Sequence, residues 1–440
     1  GADQHPGAGD HRCGGMLRMT STDPAPAHTA PVPAAALEQL STGRMLATVR
    51  ELAGDRYSGR RVGTPGGRAA ATWLAGELRE LGAEVELTGF PVSGVRELYG
   101  TPIMRWNIDG KPHPLEHRRD FAEHLASAEL PVARTGPVAA AGHADLHGRW
   151  VLAADDLPQA CERAAARQAA GVITARGTDA DGWLPKMIAG PPVQPMPILA
   201  LRTELHQHLT EALGRGPVHV TASMPMRVVV ADGVNVEGRL PAARPRADTG
   251  AALTRVLLTA HFDGVGDDPE RRLPAAADNA SGVAVILEVA RVLVAVGIPD
   301  PLEVRVALLD GEEAGAWGSA HHAATLPADT LVINLDGAAQ LHQAASVEAG
   351  GPAHALLACL DRAARLTGVP LRAGAMASDN RRYAAAGLAA IGIGMGMPGY
   401  QTPAETPDRV EAGTLMTAAR LLLATVSRLA HPGTQDGPAV

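Results

Sequence analysis

VLLTAHFD at 256–263, AAADNASG at 275–282, ALLDGEEAGAWGS at 307–319 and VINLDG at 332–337 are four blocks within one stretch, 253–337. In three of them an apolar, strand-like run ends on polar chemistry. The run at 256–260 leads to His261 and Asp263, the run at 302–309 to Asp310, Glu312 and Glu313, and the run at 331–335 to Asp336. Between the first two, Asp278 directly precedes a periodic apolar segment, 280–296, that is closed by Gly297. Strand, helix, strand in alternation predicts a largely parallel sheet with helices on its faces. Ligands in such sheets gather beyond the carboxyl ends of the strands. His261, Asp278, Glu312, Glu313 and Asp336 can therefore converge although they are far apart in the chain.

Imidazole and carboxylates together form a ligand set that suits zinc, and a carboxylate can bridge two ions. Neighbouring acids repel each other unless a positive charge sits among them, and a metal supplies it. Two adjacent glutamates allow a division of labour, one holding metal and the other taking a proton from water. Taken singly, each block has a plainer role: a surface His–Asp pair, a helix N-cap at Asp278 or Asn279, a solvated Asp-Gly-Glu-Glu turn, an Asp336–Gly337 turn. The four in this order, each at a strand end or a helix start, point to a site.

These blocks resemble the co-catalytic zinc aminopeptidase family, which also includes glutamate carboxypeptidase and the ectodomain of the transferrin receptor. The similarity runs from about residue 36 to 431, with an insertion. The resemblance implies that His261 and Asp336 are terminal ligands of one zinc, that Asp278 bridges two ions and that Glu313 binds the second. It further implies that Glu312 is the general base, that Asp263 orients His261 and that Tyr400 helps hold a developing oxyanion. At one position the chain departs from the pattern. The family's last ligand is a histidine in a Tyr-His-Thr segment, and here the residues are Tyr400, Gln401 and Thr402, followed by PAETPD. The Ser-Asp-His segment is likewise altered, to Ser378, Asp379 and Asn380. A carboxamide oxygen is a poor zinc ligand beside an imidazole. The expectation is one tightly bound zinc at His261, Asp278 and Asp336, with Asp278, Glu313 and Gln401 forming a weak second position.

Composition sets the outer bounds. A length of 440 residues fits two to three domains. The chain is 46% hydrophobic but only 3% aromatic, so alanine, valine and leucine must build its cores. A net charge of −8 gives no reason to expect nucleic-acid binding. Cys13, Cys161 and Cys359 are scattered and odd in number, so no disulfide framework is expected. No apolar run reads as a membrane span, and residues 1–35 lack a signal-peptide core. The expected location is cytoplasmic, or exported if a signal has been removed. Met16 or Met19 is a candidate natural start.

In chain order, 1–34 reads as disordered, and 35–97 with 231–440 as the catalytic domain. Thr64 is the expected cap of an amphipathic helix over 67–81, and 85–90 alternates as a strand. Residues 98–230 form an inserted lobe. Its order of GRWVLA, an alanine-rich helix and AGVITA resembles the protease-associated insert of several family members. His206 and His208 read as surface helix residues, and so do His321 and His322. The segment 241–250 reads as a polar turn, and 411–429 as a closing helix. The fold expected is a three-layer α/β/α sandwich around a mixed, mostly parallel sheet, zinc exopeptidase-like, with an inserted lobe. The function expected is metal-dependent hydrolysis of an amide bond in a peptide or small amide substrate. An acyltransferase or cyclase on the same fold is one alternative, and a catalytically silent binding module is the other. The retained Glu312 argues against the silent form, which has no use for a general base.

Overall fold

The structure is a computed structural model that describes residues 34–242 and 252–431. The segment 1–33 with Cys13, and most of the turn expected at 241–250, lie outside the described residues. Two eight-stranded sheets are present. In the main sheet, four parallel strands form the centre, in the order Leu302–Leu309, Thr254–His261, Leu331–Leu335, Ala389–Gly394. Antiparallel strands flank them: Met226–Arg239 and then Glu84–Leu98 on one side, Ala345–Gly350 on the other. Leu371–Ala373 pairs in parallel with Ala345–Gly350 at the far edge. This is the mixed, mostly parallel α/β sandwich expected.

Alternation along the central strands sorts side chains onto two faces. Val256, Leu258, Val306, Leu308, Ile333 and Ile391 pack with the helices Thr42–Leu52, Pro65–Glu80, Gly282–Val296, His354–Thr367 and Ala412–Ala430. Leu257, Ala307, Leu309, Val332 and Ala390 face the short helices Trp317–Ala323 and Asn380–Ala385. The cores are mostly aliphatic, as the low aromatic content requires. Thr64 caps its helix as expected: its hydroxyl accepts from the Gly67 amide at 3.1 Å. No run of membrane-span length is expected from the sequence, yet Ala276–Val296, a kinked first turn followed by the helix Gly282–Val296, is apolar and long enough to cross a bilayer. Its apolar window is 78% buried inside the fold, where it serves as the central core helix.

The second sheet is built wholly from strands between residues 104 and 224. Its ties to the main sheet are Glu84–Leu98 and Met226–Arg239, which pair antiparallel from Glu84↔Arg239 to Leu98↔Met226. A long irregular segment, 177–197, leaves this lobe between the strands Gly171–Arg176 and Ile198–Arg202 and lies on the main domain. Ile188 is buried there with Phe90, Val92, Val95, Val265 and Leu273.

Candidate metal and hydrolase site

Register brings the polar strand ends together. His261, the last residue of its strand, pairs with Leu309, so His261 and Asp310 lie at one edge of the sheet. Thr259 pairs with Asn334, which brings Asp336 to the same edge. Asp278 reaches it from the turn Ala276–Ser281 that leads into the core helix. Asn279 caps the helix start, accepting from Gly282 at 3.0 Å and from Gly337 at 2.9 Å, so the Asp278 and Asp336 segments share an anchor.

His261 Nε2 lies 3.1 Å from Asp278 Oδ1 and 3.3 Å from Asp336 Oδ1. All three residues are buried, and their ligand atoms lie within 4.8 Å of one another. Glu312 Oε2 stands at 3.9 Å from the same nitrogen, at the edge of this triad. Asp263 approaches the other ring nitrogen, with Oδ1 at 3.4 Å from Nδ1. Its two carboxylate oxygens also accept from the amides of Glu312 and Glu313, each at 3.1 Å. One buried aspartate thus fixes the imidazole and the double-glutamate loop together. Gly318 lets that loop fold back tightly, since a Cβ there would lie 2.2 Å from the carbonyl oxygen of Asp310.

Gln401 faces the site from the far loop. Its Nε2 donates to Glu313 Oε2 at 2.6 Å and reaches Asp278 Oδ2 at 3.5 Å. Its Oε1 is buried without a hydrogen-bond partner, as is Glu313 Oε1. The Gln401 backbone is left-handed, with φ 56°. It is gripped on both sides: its amide donates to Glu405 Oε2 at 2.6 Å, and its carbonyl accepts from the Lys186 amide at 2.9 Å. Tyr400, next to it, is 41% exposed and lines a cleft of about 430 Å³ together with Glu312, Glu313, Ser378 and Gln401.

The electrostatics call for a cation. Asp263, Asp278, Asp310, Glu312, Glu313, Asp336, Asp379 and Glu405 crowd around His261 and Arg60. Burial, then Asp336, Asp379 and Asp278, push the Glu312 carboxyl well above the usual range. Burial, then Asp278 and Glu312, do the same to Glu313. Burial opposes a charge on His261, but Asp336 and Glu312 outweigh it and raise the imidazole. Asp379, buried near the same acids, is pushed up to about 7. A metal ion at the triad would supply the missing positive charge, and the donor set of one imidazole and two carboxylates fits zinc. Among the described residues this is the one group of three or more metal-ligand side chains.

Residues 236–426 match the profile of peptidase family M28. That span holds every ligand candidate. It carries M28 zinc-aminopeptidase homology. No curated protein matches the sequence. Among solved structures, an aminopeptidase from Aneurinibacillus sp. strain AM-1 superposes with TM-score 0.68 at 21% identity, covering 92% of this chain and 98% of its own. A zinc aminopeptidase from Bacillus subtilis gives 0.66 at 21%, covering 89% and 95%. A peptidase M28 precursor from Shewanella amazonensis gives 0.67 at 17%, covering 92% and 97%. At these identities the likeness establishes the shared fold. With the M28 profile over the ligand-bearing segment and the His261–Asp278–Asp336 triad, the chain is an aminopeptidase-like metalloenzyme of the zinc peptidase type.

The M28 segment holds residues that sequence reasoning passed over. Glu405, 1% exposed, accepts from the amides of Asp278 and Gln401, each at 2.6 Å, and so ties two arms of the site together. Outside the segment, Arg60, fully buried, donates to the carbonyls of Leu52, Phe262, Pro274 and Ala275. Burial lowers its pKa to about 10, against the pull of Glu405 and Asp263. The quoted PAETPD and the double arginine at 60–61 contained both residues, but nothing in either motif signalled a role. His321 lies on the helix surface as expected. His322 does not: it is buried between Tyr383 Oη at 2.8 Å and Glu237 Oε2 at 2.9 Å. The helix Trp317–Ala323 packs against the sheet on that side, which turns the residue inward.

Proposed function

We propose that the chain hydrolyses an amide bond next to a free amino terminus or in a small amide, with one zinc held by His261, Asp278 and Asp336. The observation that carries this reading is the convergence of those three side chains beside Glu312. Zinc bound there would supply Lewis acidity, polarising the scissile carbonyl and making water a better acid. Glu312 stands beside the triad and is the candidate general base. Its raised proton affinity suits a group that takes a proton from water and returns it to the leaving amine. Asp263 keeps the His261 ring and the Glu312 backbone in one geometry. Burial and the nearby carboxylates push the Tyr400 phenol far up, so it remains a neutral O–H donor and can stabilise a developing oxyanion at the cleft.

Gln401 gives the second position a different character. Its amide nitrogen donates toward Glu313 and Asp278, and in part offsets their charge as a second cation would. An oxygen ligand there requires the amide to turn over, which would break the 2.6 Å bond to Glu313. The reading is therefore a one-zinc hydrolase. Metal analysis of protein purified without added zinc, beside hydrolysis of aminoacyl amides before and after chelation, tests it. About one zinc per chain with chelator-sensitive turnover is expected. Metal-free protein that still turns over amides, or two ions that survive mild chelation, would overturn it.

A further inference from the structure

One charge at the mouth of the cleft has no part in the hydrolytic reading. The short helix Asn380–Ala385 is anchored by Asn380 and Tyr383, both buried, with Asp379 buried just before it. Its outward residues, Arg381 and Arg382, line the cleft with Glu312, Tyr400 and Gln401. The two arginines are satisfied differently. Arg381 holds both carboxylate oxygens of Glu348, at 2.8 and 2.9 Å, so its charge is matched. Arg382 is exposed and donates from Nη2 to the Gly315 carbonyl at 2.7 Å, and no carboxylate pairs with it among the described residues.

A guanidinium presents five N–H donors in a flat fork that matches a carboxylate with two parallel bonds. Gly315 belongs to the loop that carries Glu312 and Glu313. The Arg382 fork is therefore fixed beside the reacting end of the cleft. The zinc-site acids would repel an anionic substrate group, and Arg382 offers that group an attractive partner away from them. Met187 and Ala189, also in the lining, are apolar and bring no competing charge.

We infer that Arg382 binds a carboxylate of the substrate, so that the amide cleaved belongs to a short peptide with a free C-terminus or to an acidic residue. The inference rests on the hydrolase reading and narrows its substrate class. The test uses the zinc-loaded full chain and two substrate pairs: Leu-Gly against Leu-Gly-amide, and Glu-p-nitroanilide against Gln-p-nitroanilide. The anionic member of at least one pair should be favoured ~10- to 100-fold in kcat/KM, through KM, as expected for a charge-assisted bond. The pair that responds identifies the source of the carboxylate. Arg382→Met should abolish the preference, and Arg382→Glu should reverse it. A residue that only clamps the Gly315 loop would slow both members alike and leave their ratio unchanged. That outcome, or ratios near one in the parent protein, overturns the inference. Failure to cleave any of the four substrates would count against the hydrolase reading instead. Calorimetric binding of Leu-Gly and Leu-Gly-amide to the parent and to Arg382→Met then decides the carboxylate site by the same ratio.

Discussion

Gln401 stands in a left-handed backbone conformation that few residues adopt without help, and here Glu405 and Lys186 supply the help. The loop therefore presents a side chain to Glu313 and Asp278 whatever that side chain is. Gln401→His should place a nitrogen donor beside two carboxylates. A zinc titration of both forms should show tighter uptake of a second ion, with more turnover of simple aminoacyl amides. Unchanged uptake would mean that the histidine does not reach the position. Glu312→Gln keeps shape and hydrogen-bonding capacity but removes the base. Turnover should fall ~10²- to 10⁴-fold with zinc content intact, read by kinetics and metal analysis on one preparation. Loss of zinc instead would make Glu312 a ligand. The triad was legible from sequence because each member follows a strand or precedes a helix, where topology forces convergence. Glu405 and Arg60 were not, because they act on backbone amides and carbonyls far away in the chain, and no spacing rule encodes such partners.

At the scale of elements, the segment 177–197 departs most from what sequence could suggest. It has no period to read, and so a lobe of strands and helices was expected without its most consequential part. Long irregular segments inside a compact fold are commonly functional. This one is fixed by Lys186, one of only two lysines in the chain. The Lys186 ammonium is buried and donates to the carbonyls of Gly266 and Asp267, each at 2.9 Å, and lies 3.3 Å from Asp268 Oδ1. A compact ammonium suits three acceptors converging on one point better than a flat guanidinium does. Lys186→Met keeps the apolar stem and removes the donors. Urea unfolding should register a loss of about 2–4 kcal/mol, as expected when buried acceptors lose a charged partner. The cleft wall at Met187 should become more accessible to proteolysis. Parent-like stability would mean that Ile188 and the backbone bonds of the segment, such as Lys186 N–H to the Gln401 carbonyl, hold it without the ammonium.

Across the whole molecule, the two sheets meet at a buried knot of charge. Arg118 donates to Asp268 and to Glu123 at 2.7 Å, and His117 Nε2 lies 3.0 Å from Glu123. Burial works against the charge on Glu123, but Arg118 and His117 outweigh it and hold its carboxyl far below the usual range. Arg118 and Lys186 do the same for Asp268. Both folded-state pKa values are depressed. The stability they contribute is therefore present above their unfolded values, near about 4, and is lost as pH falls through the folded values. Hydrogen-exchange protection at 184–190, taken relative to the intrinsic rate at each pH, should fall below about pH 4, before that of the central strands, and Asp268→Asn should flatten that dependence. Protection that stays constant across this range would mean that the charge knot does not hold the segment. The ribbon that joins the sheets has a consequence of another kind. Leu98 and Met226 are direct cross-strand partners, so everything between them occupies the place of a hairpin turn. In evolutionary terms, a core built on the main sheet could gain or shed the lobe by a single splice at that turn without shifting the register of any of its strands. Such a splice would also carry away Lys186, whose amide holds the Gln401 carbonyl, so a trimmed chain would keep its sheet but lose one of the two grips on the loop that faces the triad.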